Sequence, residues 1–306
     1  MSFLDKIWFS NNEDDISSLT HSELLSYFDN IENFYLKDSR NVCWWEMPID
    51  NYLVSLTHWE YILPSWYEDI LIEQSDKYVR LLKNFSDFWT SYIASAMWLP
   101  EEQIIRTLFS RWIWDCNRDI NDRSYIWYKR TTDFCWKSLF LDRGDLENIA
   151  RKHYEDYHLS ISKRLEQIEE WWKTSFLFDL HDTWVRLMDF DSSFDSIKTN
   201  LFPSISIANL DGKSCDDKVL HFFAERITFY LWFPVVCNEP YKWWYVTKYH
   251  WVESNQWKTK KRNVIQIELA RFLYMKESTQ EVNLERAEII WDWLNKAIRD
   301  TIMKFS

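Results

Sequence analysis

Apolar residues recur along this chain at two spacings, and the change from one to the other marks out its elements. Tyr52-Leu53-Val54-Ser55-Leu56 is a short apolar run rich in strand formers and predicts a buried strand. Residues 66–83 and 87–97 predict helices, and 104–109 predicts a second strand. Leu146, Ile149, Tyr154, Tyr157, Ile161, Leu165 and Ile168 lie near helical spacing, so 145–171 predicts one long amphipathic helix. Residues 175–180 predict a third strand and 214–230 a helix. Val235-Val236 and Tyr245-Val246-Thr247 are short strand candidates, 264–269 is a strand, and 282–303 is a C-terminal amphipathic helix. The acidic stretch 1–40 places Leu24, Leu25, Phe28, Ile31 and Phe34 on one face and reads as a helical N-terminal extension. Residues 41–306 then form a single domain.

Strands interleaved with helices predict an α/β fold: three layers, with helices on both sides of a mixed, mostly parallel sheet. Ligands bind such sheets beyond the carboxyl ends of the strands. The polar residues that follow each strand are therefore the ones to inspect.

The bulk numbers exclude several functions. With 306 residues there is ample material for a core. A net charge of −12 and a pI near 5.1 leave no basic footprint for nucleic acid. No apolar run approaches a membrane span, and the start Met1-Ser2-Phe3-Leu4-Asp5-Lys6 lacks the order of a secretory signal. Five cysteines at irregular spacing, with no Cys-x-x-Cys pair, suit a reducing cytoplasm rather than disulfides or a thiolate zinc site.

One count is anomalous. The chain has 21 tryptophans and two glycines, where average usage would give about 21 glycines. Trp44-Trp45, Trp66, Trp243-Trp244 and Trp257 stand in polar contexts that read as turns, where glycine supplies positive φ without steric cost. Some bacterial lineages read the codon UGA as glycine, whereas common alternative tables read it as tryptophan. A UGA-rich gene translated with the wrong table would give this composition. A genuinely tryptophan-rich sugar or surface binder is the alternative, but aromatic binding gives no reason for glycine to vanish.

Three predicted strands run into reactive side chains. The first leads to Thr57-His58, and the third through Asp179 to His181-Asp182. The 104–109 strand leads to Ser110-Arg111, then Asp115-Cys116-Asn117-Arg118-Asp119. Singly, each is as consistent with a structural histidine or a surface ion pair. It is their joint position after apolar strands that points to a site. In 264–269, Gln266 and Glu268 share one face by strand alternation. That face is either a solvent-facing edge or a rigid carboxylate over a pocket, placed to act as a general base.

The order of these motifs resembles the N-formylglutamate amidohydrolase family over about residues 50 to 300. His58 precedes Pro64. Ser86-Asp87-Phe88, Ser110-Arg111, Asp115-x-Asn117-Arg118-Asp119 and Asp179-x-His181 follow, then Tyr241-Lys242-Trp243-Trp244-Tyr245-Val246-Thr247, and Gln266-x-Glu268-Leu269 with Tyr274-Met275. The family typically reads Lys-Gly-Gly-Tyr-Ile-Thr where this chain has 242–247, and has glycine after its first histidine, where Trp59 stands. Glycine in place of tryptophan restores both patterns.

The resemblance implies a zinc-carboxypeptidase-like catalytic domain and a cytoplasmic hydrolase of small N-formyl or other N-acyl amino acids that bear a carboxylate. It implies zinc on His58, His181 and Asp87, with Glu60 as the rival third ligand. It also implies Glu268 as general base, Arg118 with Asn117 on the substrate carboxylate, and Arg111 on a second carboxylate or the oxyanion. Asp179 could orient His181. Thr57 stands where the family usually has proline, Asp182 where it often has serine, and Lys248-Tyr249-His250 replaces a more usual Arg-His-Tyr. These departures point to a different N-acyl amino acid. The competing functions are a carboxypeptidase-like or cell-wall amidase and a non-catalytic aromatic-rich binding protein.

Overall fold

A computed structural model describes residues 51–58, 86–87, 90, 99, 101–108, 110–111, 115–120, 144–172, 174–183, 204–233, 235–241, 245–255, 261–276 and 281–306. All of them fall in one compact unit, Ile49–Trp184 with Ser204–Ser306. The expected N-terminal extension and the helix over 66–83 lie outside the described residues, as do most of 87–97 and Glu60.

The strands are β1 (Tyr52–Leu56), β2 (Ile104–Arg106), β3 (Thr174–Thr183), β4 (Ile205–Ala208), β5 (Val235–Cys237), β6 (Lys261–Ala270), β7 (Met275–Lys276) and β8 (Glu281–Val282). The helices are α1 (Gly144–Trp171), α2 (Asp217–Leu231), α3 (Tyr245–Asn255) and α4 (Leu284–Phe305). Six strands form one sheet in the order β2-β1-β3-β6-β4-β5, and β7 pairs with β8. Every pairing in the large sheet is parallel except β4 with β6. The mixed, mostly parallel sheet predicted from the interleaved pattern is therefore present.

Alternation along β3 sorts the two faces of the sheet. Phe176 and Phe178 point to one side, where Phe178 meets Phe223 of α2 at 5.4 Å between ring centroids. Ser175 and Asp179 point to the other, where the Ser175 hydroxyl donates to Glu169 of α1 at 2.8 Å. Both faces of β3 are thus covered, which is why nearly all of its side chains are buried and its sequence mixes Phe, Leu, Asp and His without a solvent face. A further buried pair anchors α1 to the start of β6: Arg262 grips Glu169 through Nε at 2.6 Å and Nη2 at 3.1 Å.

The helix ends are built from local chemistry. Asp216 caps α2 by accepting from the Lys218 N–H, and Asn283 caps α4 by accepting from the Arg286 N–H. The C-cap of α2 is Trp232, which is left-handed at φ 58°, ψ 20°.

One element differs in kind from the sequence reading. Tyr245-Val246-Thr247, expected as a strand, is the first turn of α3. Three strand-prone residues made the pattern, but their surroundings decide otherwise. The Val246 N–H, one of the unpaired donors of any first helical turn, donates to Asn117 Oδ1 at 3.0 Å. Val246, Thr247 and His250 then face inward together. β4 has no counterpart among the predicted strands, because Ile205-Ser206-Ile207-Ala208 is too short for its period to register. Among the described residues no helix is long and apolar enough to cross a membrane.

Candidate active site

The sheet brings Asp179, His181, Gln266 and Glu268 onto one face. In the parallel register of β3 with β6, Asp179 pairs with Gln266 and His181 with Glu268. Ser55 of β1 pairs with Asp179. β3 runs on to Thr183, so His181 and Asp182 lie within the strand rather than after it. His58 stands two residues beyond β1, and the Asp87 N–H donates to the His58 carbonyl at 2.7 Å. β6 is interior, between β3 and β4, so Gln266 and Glu268 are buried and do not form a solvent-facing edge.

His58, Asp87 and His181 form a buried group that could hold a metal ion, offering ligand atoms within 4.8 Å of one another. Asp87 Oδ2 lies 2.8 Å from His181 Nδ1 and 3.5 Å from His58 Nδ1. The far nitrogens are tied to other carboxylates. His58 Nε2 donates to Asp115 Oδ1 at 2.6 Å, and His181 Nε2 donates to Asp179 Oδ2 at 2.8 Å. A carboxylate only accepts, so both Nε2 atoms carry protons and both Nδ1 atoms turn toward Asp87; His181 Nδ1, 2.8 Å from Asp87 Oδ2, must donate as well, and a metal ion bound at Nδ1 would displace that proton. Such outer carboxylates fix the orientation of metal-binding imidazoles. Asp179 Oδ1 is held in turn by the Ser55 and Thr57 hydroxyls, at 2.7 and 2.8 Å.

The electrostatics follow from this crowding. Burial opposes ionisation of Asp87, but hydrogen bonds to His181 and His58 hold its carboxyl below the usual range. Asp179 is likewise lowered against its burial, mainly by His181. His181 is raised well above its ordinary value because Asp179 and Asp87 outweigh the burial that would lower it. Burial pushes Glu268 up to about 8, with Asp87 and Asp182 acting in the same direction and His181 against it. Gln266 Nε2 donates to Glu268 Oε1 at 2.7 Å. The buried carboxylates Asp87, Asp115, Asp179, Asp182 and Glu268 thus face Arg271, which is buried, and Arg111.

The turn after β2 supplies the polar wall. Arg111 Nη2 donates to Asp115 Oδ2 at 2.8 Å, and Arg118 Nε lies 3.8 Å from the same oxygen, with its side chain a third exposed. Asn117 is buried, and its Oδ1 is committed to Val246. Its Nδ2 lies 3.4 Å from His181 Nε2. This is a contact rather than a bond, because that nitrogen already gives its proton to Asp179.

Two residues of the site carried no expected role. Asp115 orients His58, and its only sequence signal was its place in the Asp-x-Asn-Arg-Asp motif. Arg271, three residues past Glu268, donates through Nε to Asp182 and through Nη2 to the Ser86 carbonyl at 2.7 Å, bracing the turn that carries Asp87. No spacing rule on the sequence ties positions 86, 182 and 271 together.

An α/β fold that gathers two histidines and a carboxylate at strand ends, beside a buried glutamate, defines a hydrolase with a site able to hold a metal ion. The class narrows further, because the chain belongs to the N-formylglutamate amidohydrolase family, whose model matches residues 51–275, more than half of the sequence. It is therefore an amidohydrolase of that type, as the motif order implied. The fold is shared with two crystal structures. One is an N-formylglutamate amidohydrolase from Ralstonia eutropha JMP134, with 17% identity and a TM-score of 0.62 over 84% of this chain and 94% of that one. The other is a gene product of Agrobacterium tumefaciens, with 14% identity and a TM-score of 0.56 over 82% of this chain and 91% of that one. No curated protein matches at a significant level.

Proposed function

We propose that this protein is a zinc-dependent hydrolase of N-formyl or other N-acyl amino acids, with N-formylglutamate the first substrate to test. One observation carries the reading. Both histidines turn Nδ1 toward Asp87 while their Nε2 protons are held by Asp115 and Asp179. Two imidazoles and a carboxylate suit zinc, and three protein ligands leave one position open. When bound there, zinc would lower the pKa of a water molecule and polarise the scissile carbonyl. Glu268, buried on the neighbouring strand, is the carboxyl that in its ionised form would accept a proton from the attacking water and pass it to the leaving nitrogen. Arg118 with Asn117 grips the substrate carboxylate, since a guanidinium fork matches a carboxylate in two bonds. Arg111 serves a second carboxylate or the oxyanion.

The test is direct. Protein stripped by a chelator and reloaded with zinc should release glutamate from N-formylglutamate, and the stripped form should not. A zinc-loaded protein inert toward every N-acyl amino acid tried would sink the reading. The irregular spacing of the five cysteines along the sequence supports a reducing, cytoplasmic setting.

We also propose that many of the tryptophans in this sequence are glycine in the protein its own cells make. Trp232 supports this independently of composition. It occupies the left-handed C-cap of α2, the helix-ending position that glycine fills by default. Among the described residues the other non-glycine positions with positive φ are Leu210, Asp211 and Asn238; aspartate and asparagine tolerate the region, whereas leucine and tryptophan bear its cost.

A further inference from the structure

Beside the site, two buried histidines take no part in the proposed chemistry: His158 on α1 and His250 on α3. His158 Nε2 lies 3.0 Å from the Cys116 carbonyl, and His158 Nδ1 lies 3.1 Å from His250 Nε2. A carbonyl oxygen only accepts, so the His158 proton sits on Nε2. His158 Nδ1 then accepts, and His250 Nε2 must donate. That leaves the His250 Nδ1 lone pair toward the Ser162 hydroxyl, at a long 3.5 Å. Donation runs one way, from Ser162 through His250 and His158 to Cys116.

Burial keeps the chain in this form. It holds His158 down to about 4, against the Cys116 carbonyl and the Asp179 charge, which pull upward. It holds His250 well below its ordinary value, helped by His158 and Arg262. Both rings are neutral at neutral pH. The rings of Tyr154, Tyr245 and Tyr249 pack within 5.7 Å of the His158 ring, centroid to centroid, and keep the imidazole in place.

The acceptor at the end of the chain matters because of its neighbours. Cys116 is the middle residue of the turn whose Asp115 takes the His58 proton and whose Asn117 takes the Val246 N–H. The turn's own backbone contributes a bond from the Arg118 N–H to the Asp115 carbonyl at 3.2 Å. α3 therefore holds this turn twice, once through Val246 and once through His250 and His158.

We infer that His158, kept in one tautomer by His250, is a positioning residue: its Nε2–H fixes the Cys116 carbonyl, and so sets Asp115 against His58 and Asn117-Arg118 against the substrate. The inference rests on the zinc hydrolase reading for what the turn is positioned to do.

Variants of the full-length protein test it. His158→Leu removes the donor, whereas His158→Gln places an amide N–H where Nε2 lies. Loss of an outer-shell partner costs a metal site about 10- to 100-fold, and His158 acts one step further out, so His158→Leu should weaken zinc binding roughly tenfold in chelator competition. It should also raise KM for N-formylglutamate. His158→Gln should restore both. Equal losses in the two variants overturn the inference, and so does a leucine variant with native zinc affinity and KM, whatever its melting temperature. If the leucine variant does not fold, nitrogen NMR on histidine-labelled wild type decides. His158 must be neutral with its proton on Nε2 between about pH 5.5 and about pH 8. A proton on Nδ1, or titration in that range, overturns the relay. Wild type that binds no zinc instead overturns the proposed function, and the tautomer measurement, which needs no metal, still decides this inference.

Discussion

His181 and Glu268 stand opposite each other in register on β3 and β6, so a candidate metal ligand and a buried carboxyl share one face of the sheet. Glu268 is paired on both sides, with His181 and with Ser206 of β4, and His181, two residues past the last pairing of β3 with β1, is held through its ring by Asp87 and Asp179. Rigid placement of a base beside a metal-bound water is what hydrolysis of an amide needs. Glu268→Gln should leave zinc stoichiometric and lower kcat by about 10²- to 10⁴-fold, the usual worth of an acid–base group. Metal analysis and steady-state kinetics on one preparation check this. Near-native turnover removes Glu268 from the mechanism.

The same substitution should make the metal-free protein more stable. The Glu268 carboxyl is raised from its ordinary 4.5 to about 8 by burial. A carboxyl whose folded pKa is raised gives stability that is fully present below the unfolded pKa and lost as pH rises through the folded one. Glutamine does not titrate. The stability of Glu268→Gln relative to wild type should therefore grow between about pH 4.5 and about pH 8, by at most about 1.4 kcal/mol per pH unit, and level off above that. Urea denaturation across this window in the presence of chelator gives the difference directly. A difference that does not change with pH contradicts the burial of an ionisable Glu268.

Asp115 and Asp179 offer a contrast between holding a ring and binding the metal. Each accepts the Nε2 proton of one histidine and reaches Asp87, the third candidate ligand, only through that ring. His58→Ala should abolish zinc binding. Asp115→Asn and Asp179→Asn should retain it with affinity lowered about 10- to 100-fold, the usual cost of a lost outer partner. Competition against a zinc chelator ranks all three. An alanine variant that keeps stoichiometric zinc removes His58 from the ligand set.

Much of this was legible in the sequence, and the limits have physical causes. β1, α1, β6 and α4 are long or strongly apolar on one face, and their periods place His58 and Glu268 without a structure. Asp87 and His181 could be brought to one cluster only through family resemblance, since 94 residues separate them. Their meeting depends on the parallel register of β1 and β3, which no local pattern encodes. α3 was misread because Tyr-Val-Thr favours a strand locally, whereas a single donor–acceptor match to Asn117, more than a hundred residues away, supports the first turn of a helix. Arg271 was invisible for a similar reason. A buried arginine shows its purpose only when Asp182 and the Ser86 carbonyl are in place around it.

Trp232 turns the codon question into a measurement of stability. A side chain other than glycine in the left-handed region costs about 1–2 kcal/mol, because Cβ crowds the following carbonyl oxygen. Trp232 carries that cost at φ 58° while its N–H closes α2 on the Thr228 carbonyl at 2.9 Å. Its indole is 37% exposed, so the apolar area it buries works against the strain. Trp232→Gly and Trp232→Ala both lose that burial, but only glycine relieves the left-handed backbone, so the glycine variant should be the more stable of the two by about 1 kcal/mol. Equal effects from the two variants would show that the indole, not the backbone, sets the energy there. Peptide mass spectrometry on protein from its native cells supplies the complementary observation. Glycine at 232 and at 243 and 244 establishes the recoding, and the glycine form is then the one on which zinc binding and hydrolysis should be measured. Tryptophan at all three means that α2 ends on a strained indole by selection, and the aromatic-rich binding function regains its place beside the hydrolase.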